Sequence, residues 1–203
     1  MIAPTSTDDE ILAEMERVRV LYKLKYTMRY ESARDMRVHS ESVAEHLFAM
    51  QIISQYFLPL EDAGGKLDRV RINELILFHE IGEIETGDIL FFQKRDADKE
   101  EERRAARRVA DELPQSLQAL AYERFIEFDA CDTPEAKFAD AVDKIEPIFE
   151  LLDDVNVQSF KRLGLRKDIA TNGKRLATKP YPYMRRFLDA WTEHMVSIEG
   201  FAV

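Results

Sequence analysis

The sequence contains little cysteine and glycine, and it has no long apolar run. Cys131 is the single cysteine among 203 residues, so an internal disulfide is excluded. No stretch approaches the roughly 20 apolar residues that a membrane-spanning helix requires. The start MIAPTSTDDE has neither the basic nor the apolar run of a secretory signal. We therefore expect a cytoplasmic protein that does not enter a membrane.

Positive charge is also scarce. The chain carries 29 Lys and Arg residues against 39 Asp and Glu residues, which gives a formal net charge of −10. Binding to a nucleic-acid backbone requires clustered positive charge, so the composition argues against a nucleic-acid partner. A small phosphorylated ligand remains compatible, because a binding site can be locally positive on an acidic protein.

Apolar residues recur at helical spacing along most of the chain, whereas the alternation typical of strands is sparse. No internal repeat is visible, and no stretch rich in Pro, Gly and Ser divides the chain. A chain of this length can bury a sizeable core as one unit. We therefore predict an all-α protein with a single domain over residues 1–203.

Residues that commonly begin or end helices mark several boundaries. Ser42 followed by Glu45 fits a capping box at the start of a helix. Thr133-Pro134 fits an N-cap followed by a proline in the first turn. The periodic segment DRVRINELILFHEIGEIE is predicted to stay helical nearly to Gly87, where glycine suits a left-handed terminus.

Four side chains on three predicted helices have the chemistry of metal ligands. His46 and His79 each lie on an apolar helix beside an acid, and Asp143 lies on a third helix. Together with Glu80 they offer two imidazoles and two carboxylates, a mixture that divalent Mn, Fe, Co or Zn accepts. Helices that face one another in a bundle can bring such ligands together. Taken singly, each histidine is more often a core residue, so spacing alone is a weak signal.

The order of three motifs provides a more specific signal. An apolar helix containing SVAEH is followed by HExxExxTGD from His79 to Asp88, and then by KFADAVDKIE around Asp143. This order resembles the HD-domain phosphohydrolase superfamily, and specifically its 5′-deoxynucleotidase-like branch. The resemblance covers about residues 20–155, which leaves residues 156–203 as a C-terminal helical extension. It implies a single-domain, HD-type helical bundle.

The resemblance also implies a metal site. By matching position, His46, His79, Glu80 and Asp143 would hold one divalent ion, which could be Mn, Co, Fe, Zn or Mg. Glu80 stands where the family has an aspartate. Asp140, one turn before Asp143, is the competing candidate for the last ligand.

Further residues match positions that surround the substrate in the branch. Glu83 matches the catalytic acid, whose task is to orient or deprotonate the attacking water and to protonate the leaving oxygen. Asp88 matches the position that contacts the deoxyribose 3′-hydroxyl, and its alternative role is that of a turn aspartate capping backbone amides. Arg29, followed by Tyr30, resembles an arginine-tryptophan pair. Lys94 has the spacing of a lysine that follows the TGD motif in the branch. Arg29 and Lys94 are each either a phosphate ligand or an exposed surface charge.

These assignments imply a metal-dependent phosphohydrolase that removes phosphate from nucleoside 5′-monophosphates, preferably 2′-deoxyribonucleotides. The partner would be a small nucleotide, and the resemblance favours a homo-oligomer, most simply a dimer. One alternative is a degenerate HD domain that binds a nucleotide or a protein without hydrolysis, which the replacement of aspartate by Glu80 favours. Another is an HD phosphohydrolase that acts on a different phosphorylated substrate.

Overall fold

The computed structural model of the chain describes residues 7–29, 41–152 and 154–202. Tyr30, which the sequence pairs with Arg29, lies outside these ranges. Within them the regular structure is helical, and strand-like pairing is limited to two isolated backbone bridges. The prediction of an all-α fold is confirmed. No helix in the described ranges is long and apolar enough to cross a bilayer.

Eleven helical segments are defined within the described ranges. In chain order they are α1 (Asp8–Val18), a 3-10 helix (Arg19–Tyr26), α2 (Val43–Glu61), α3 (Arg69–Phe78), α4 (Glu83–Thr86), α5 (Asp96–Glu112), α6 (Gln115–Ala130), α7 (Pro134–Glu150), α8 (Asp154–Leu163), α9 (Lys167–Ala177) and α10 (Pro182–Ser197). Helices α8 and α9 lie mostly within the predicted C-terminal helical extension over residues 156–203, but the sequence marked none of their boundaries as clearly as those of α2 and α7.

Two helix starts agree with the sequence. At α2, the Ser42 hydroxyl accepts a hydrogen bond from the Glu45 amide, and the Glu45 carboxylate accepts one from the Ser42 amide. At α7, the Thr133 hydroxyl accepts a hydrogen bond from the Ala136 amide at 3.1 Å, and Pro134 occupies the first turn. Both predicted caps are confirmed.

The helix that leads into HExxE ends earlier than predicted. Helix α3 stops at Phe78, and residues 79–82 form a tight turn in which the Glu83 amide donates to the Glu80 carbonyl at 3.0 Å. The one-turn helix α4 follows, and Gly87 ends it with a φ of 71°. The predicted continuous helix was wrong, because a turn with hydrogen bonds over three residues preserves the apolar spacing that suggested a helix.

The core lies between the helices that carry the candidate ligands. The larger apolar cluster joins residues of α2, α3 and α7 with residues of α8, α9 and α10, and it includes the fully buried Ile76 and Ile145. A smaller cluster joins the end of α3 to α5 and α6 through residues such as Phe78 and Val109. Because α2, α3 and α7 pack on one another, the side chains at their facing ends are brought close together.

Helix α1 presents its apolar side chains to solvent. It begins with a capping box in which Thr7 and Glu10 exchange hydrogen bonds, and it buries none of its residues. The following 3-10 helix supplies Val20 and Leu24 to the core instead. The exposed fractions along α1 are 38% for Ile11, 58% for Leu12, 54% for Met15 and 41% for Val18.

Gly82 allows α5 to approach the turn between α3 and α4. A Cβ atom built on Gly82 would lie 2.6 Å from the carbonyl oxygen of Glu102 and 2.9 Å from its Cγ. The backbone of Gly82 has a φ of −63°, which any residue adopts. Gly82 is therefore required for space and not for backbone conformation.

Replacing Gly82 by alanine should destabilise the fold by about 1–3 kcal/mol, because the added methyl group overlaps the α5 backbone. Gly173→Ala is the matched control, since it lies inside α9 and nothing lies within 4 Å of its built Cβ. Gly173→Ala should stabilise the protein by about 0.5–1 kcal/mol through helix propensity. Urea unfolding of both variants measures the difference, and equal stability of Gly82→Ala and wild type would contradict the close approach.

Candidate functional site

Four predicted ligands meet where α2, α7 and the end of α3 come together. His46, His79, Glu80 and Asp143 each offer one nitrogen or oxygen atom, and these atoms all lie within 4.8 Å of one another. Nε2 of His46 is 3.1 Å from Oδ1 of Asp143, and Nε2 of His79 is 3.3 Å from Oε1 of Glu80. Two imidazoles and two carboxylates at such separations match the donor sets of divalent transition metals. We call these four residues the ligand cluster.

His79 is oriented as a metal ligand would be. Its Nδ1 lies 2.9 Å from the Ile76 carbonyl oxygen, and because a carbonyl only accepts, Nδ1 carries the proton. Its Nε2 is buried and makes no well-aligned hydrogen bond to any residue that the structure describes. The ring also stacks on Phe128 at 4.3 Å between centroids. A histidine anchored through one nitrogen, with the other directed at carboxylates, fits a divalent ion.

The turn after α3 explains how two consecutive residues reach the same point. In a regular helix the side chains of residues 79 and 80 would point about 100° apart. Here α3 has ended at Phe78, and the tighter turn brings the Glu80 carboxylate beside His79. Burial raises the pKa of Glu80, but His79 outweighs it, so the net shift is downward and Glu80 is ionised.

His46 is fully buried and is held from the side opposite the ligand cluster. Its Nδ1 lies 2.6 Å from Nη1 of Arg29 and 3.0 Å from Oε2 of Glu146. The same Arg29 nitrogen is 3.0 Å from both Glu41 Oε2 and Glu146 Oε2. Burial and the Arg29 charge lower the pKa of His46, but hydrogen bonds to Asp143 and Glu146 prevail and raise it to about 9. These contacts fix the ring so that Nε2 faces Asp143.

Arg29 therefore contacts the side of His46 that faces away from the ligand cluster. Its side chain is buried, and the two acids that hold it, Glu41 and Glu146, were missed by the sequence analysis. Glu146 follows Asp143 by three residues on α7, so the helical spacing was an available signal. Burial raises the pKa of Glu41 to about 8 against the attraction of Arg29. Phosphate binding by Arg29 stays a prediction.

Glu83 lies at the start of α4, buried between the ligand cluster and α5. One of its oxygens lies within 4.8 Å of oxygens of Glu80 and Glu102. Burial raises its pKa well above the ordinary value, and the charges of Glu80, Asp88 and Glu102 add to this effect against that of Lys94. A raised pKa favours the protonated carboxyl group, which is the form that a general acid requires.

Lys94 and Glu102 form a close ion pair at the edge of this acidic group. The Lys94 Nζ lies 2.5 Å from Oε2 of Glu102, and the two side chains are 23% and 10% exposed. Glu102 was missed by the sequence analysis, because it lies in the charge-rich segment KEEERR. Its spacing to Ala106 and Val109, which are buried on the same face of α5, was the signal that could have found it.

The two candidate aspartates of α7 have different partners. Asp143 belongs to the ligand cluster, where burial raises its pKa but Lys144 and His46 hold it well below the ordinary range. Asp140 lies 3.5 Å from Lys144 and does not join the four-residue cluster. Asp88 follows Gly87, half-buried, and its charge contributes to the raised pKa of Glu83.

Sequence comparison relates the chain to characterised proteins. The profile of the HD domain family matches residues 21–180. The chain is 29% identical over 138 residues to the 5′-deoxynucleotidase HDDC2 of Xenopus laevis, a match that spans 66% of this chain and 65% of the relative. It is 29% identical over 121 residues to the 5′-deoxynucleotidase hdd1 of Schizosaccharomyces pombe, spanning 56% of this chain and 58% of that protein. The matched regions thus leave out a third or more of each relative's length.

Structure comparison shows the same fold in a solved protein. A crystal structure described as a predicted metal-dependent phosphohydrolase from Magnetospirillum magnetotacticum superposes with a TM-score of 0.80. The superposition covers all of both chains at 24% sequence identity, so it supports the fold alone. With its helical fold and a family profile that covers residues 21–180, the chain belongs to the HD domain family.

Proposed function

We propose that the protein is a metal-dependent phosphohydrolase that releases phosphate from nucleoside 5′-monophosphates, with a preference for 2′-deoxyribonucleotides. The observation that carries the proposal is the ligand cluster, in which His46, His79, Glu80 and Asp143 converge beside the buried Glu83. The names of the two relatives, both 5′-deoxynucleotidases, supply the substrate class. The fold likeness to a metal-dependent phosphohydrolase is in keeping with it.

The ligand cluster would hold one divalent ion of Mn, Co, Fe, Zn or Mg. When bound there, such an ion polarises a phosphoryl oxygen and lowers the pKa of a bound water. The residues of the chain contribute orientation, because the Ile76 carbonyl fixes His79 and the Arg29-Glu146 pair fixes His46. Ligands held by such contacts bind metal more tightly than mobile ones do.

Glu83 is the proposed general acid and base. Its burial and the neighbouring carboxylates raise its pKa and so favour the protonated form, which can protonate the leaving 5′-oxygen of the nucleoside. Once deprotonated, it can orient an attacking water and accept its proton. Lys94 lies beside it and would offset phosphate charge as a compact ammonium group, after partial release from Glu102.

Asp88 is the proposed sugar ligand. It lies two residues beyond the end of α4, after Gly87, whose positive φ ends the helix. The charge of Asp88 raises the pKa of Glu83, so the two carboxyl groups lie in the same site. A carboxylate there can accept a hydrogen bond from a 3′-hydroxyl group. Selectivity for deoxyribose then follows if the surrounding pocket has no space for a 2′-hydroxyl.

The chain is proposed to act as one HD-type domain over residues 1–203 and to form a homo-oligomer, most simply a dimer. The C-terminal helices α9 and α10 contribute Ala170, Met184 and Trp191 to the same apolar cluster as α2 and α7, which supports one domain. The exposed apolar face of α1 supports association, because a second copy could cover it. A cytoplasmic location remains part of the proposal.

His79→Ala should abolish metal binding and phosphate release together, because it removes the ligand whose Nε2 faces the cluster. Metal affinity should fall by at least about 100-fold. The assays are phosphate release from ribo- and deoxyribonucleotides with added Mn, Co, Mg or Zn, and the thermal shift caused by each metal. His194→Ala, at an exposed histidine of α10, is the control and should behave as wild type. Full activity of His79→Ala, or no turnover with any metal, would reject the site.

Glu80→Asp tests whether Glu80 is a metal ligand in this chain. Shortening the side chain by one methylene withdraws the oxygen that lies 3.3 Å from His79 Nε2, so metal affinity should fall about 10-fold. Calorimetric titration with Mn measures it, with Glu85→Asp as the control. Unchanged affinity would place Glu80 outside the metal's ligands. Increased turnover would show that Glu80 is a compromised ligand, as the degenerate-domain alternative requires.

Glu83→Gln should separate chemistry from metal binding. The amide cannot transfer a proton, so kcat should fall by about 100- to 10,000-fold while metal affinity stays near that of wild type. Glu85→Gln is a matched control on the same short helix, since Glu85 pairs with Arg108 on the side of α5. Equal kcat for the two variants would remove Glu83 from the mechanism.

A further inference from the structure

A largely apolar cavity lies at the C-terminal end of α7. Its volume is about 90 Å³, whereas one water molecule needs roughly 10–15 Å³ on the same measure. Polar side chains at its edge are those of Glu41, Glu150, Asn156 and Lys174. Its apolar walls include Leu90, Phe91, Leu151, Phe160, Leu163 and Leu165.

Backbone connections place this cavity close to the candidate site. Leu90 follows the proposed sugar ligand Asp88 by two residues. Pro147 of α7 and Leu151, which follows the helix, line the cavity four and eight residues after Asp143. Pro147 lies one turn from Asp143 on the same face of the helix, about 6 Å along its axis.

Glu41 is shared between the cavity and the network behind His46. Its carboxyl oxygen Oε2 lies 3.0 Å from Arg29, which contacts His46, and the same residue lines the cavity. Lys174 provides a second connection, because its Nζ donates to the carbonyl of Lys144, the neighbour of Asp143 in the chain. The cavity is thus continuous with the residues that support the ligand cluster.

We propose that this cavity is the subsite for the nucleobase of the substrate, an inference that rests on the proposed function. A nucleotide whose phosphate lies at the ligand cluster and whose sugar contacts Asp88 extends its base beyond the sugar. The cavity adjoins the residues that follow Asp88, so it lies where the base would be. Its apolar lining suits the faces of a heteroaromatic ring, and its polar side chains suit the ring's nitrogen and oxygen atoms.

Phe91 and Phe92 supply the aromatic surface of this subsite. Phe91 is 59% exposed and Phe92 is 39% exposed, and their rings meet edge to face at 5.3 Å between centroids. Exposed aromatic rings beside a cavity are accessible to a ligand, and aromatic side chains stack on bases of any sequence. The Phe91 ring is therefore the proposed stacking partner of the base.

The polar side chains of the cavity argue against a purely hydrocarbon ligand. Asn156 Nδ2 donates to Glu150 Oε2 at 2.9 Å, and Lys174 Nζ lies 2.6 Å from the Lys144 carbonyl oxygen. Hydrocarbon would cover these polar groups without offering them any further hydrogen bond. A base carries donors and acceptors on its edge, so it can offer such bonds.

The test compares a substrate that has a base with one that lacks it. Kinetics with 2′-deoxyadenosine 5′-monophosphate and with 2-deoxyribose 5-phosphate are measured for wild type, Phe91→Ala and Phe48→Ala. Phe91→Ala should raise KM for the nucleotide about 5- to 100-fold and leave KM for the sugar phosphate unchanged. Phe48 is a 68% exposed aromatic residue of α2 that does not line the cavity, so Phe48→Ala should match wild type.

Two results would overturn the subsite while leaving the proposed function intact. One is equal KM for the two substrates in the wild type, and the other is an equal effect of Phe91→Ala on both substrates.

Calorimetric binding of 2′-deoxyadenosine, which has no phosphate, separates the two proposals further. If no ester is hydrolysed but the nucleoside binds and Phe91→Ala weakens it, the subsite stands and the phosphohydrolase proposal fails. Absence of both turnover and nucleoside binding rejects both.

Discussion

Carboxylates buried among apolar helices must be compensated by positive charge, and the candidate site is organised around this requirement. Behind His46, Arg29 lies between Glu41 and Glu146. At the edge of the acidic group, Lys94 pairs with Glu102. Removing one partner of a buried pair leaves an uncompensated charge, which costs more than the pair itself contributes. The charged residues that support the ligand cluster therefore depend on one another, and the proposed divalent cation would add positive charge to this group.

The second requirement is that the side chains of the ligand cluster reach one point, and backbone geometry meets it. The imidazoles come from α2 and the end of α3, and a tight turn directs two consecutive side chains to one point. Gly82 then admits the α5 backbone, which carries Glu102 toward the turn. One glycine thus connects the packing of α5 to the acidity of Glu83, because Glu102 is among the charges that raise the Glu83 pKa.

Local signals predicted the helical fold and two of its helix starts, and the order of the motifs selected four residues that lie close together in the structure. The caps at Ser42 and Thr133 depend on neighbours within three residues, so they can be recognised in a sequence. The contact between Arg29 and Glu146 joins residues 117 positions apart, so no local pattern in the sequence could reveal it. The turn after Phe78 was hidden for a different reason, since its apolar spacing is that of a helix. Glu102 was hidden among exposed charges of the same type.

The exposed apolar face of α1 has a consequence for local stability. A helix of 11 residues is marginal by itself in water, and α1 buries none of its side chains within the described chain. Its helical state therefore depends on the capping box at Thr7 and on the acidic first turn, both of which contribute modestly. The free energy needed to open α1 locally is consequently low. A surface that buries the apolar face of α1 would stabilise its helical state. Amide hydrogen exchange in α1 thus reports on whether that face is covered.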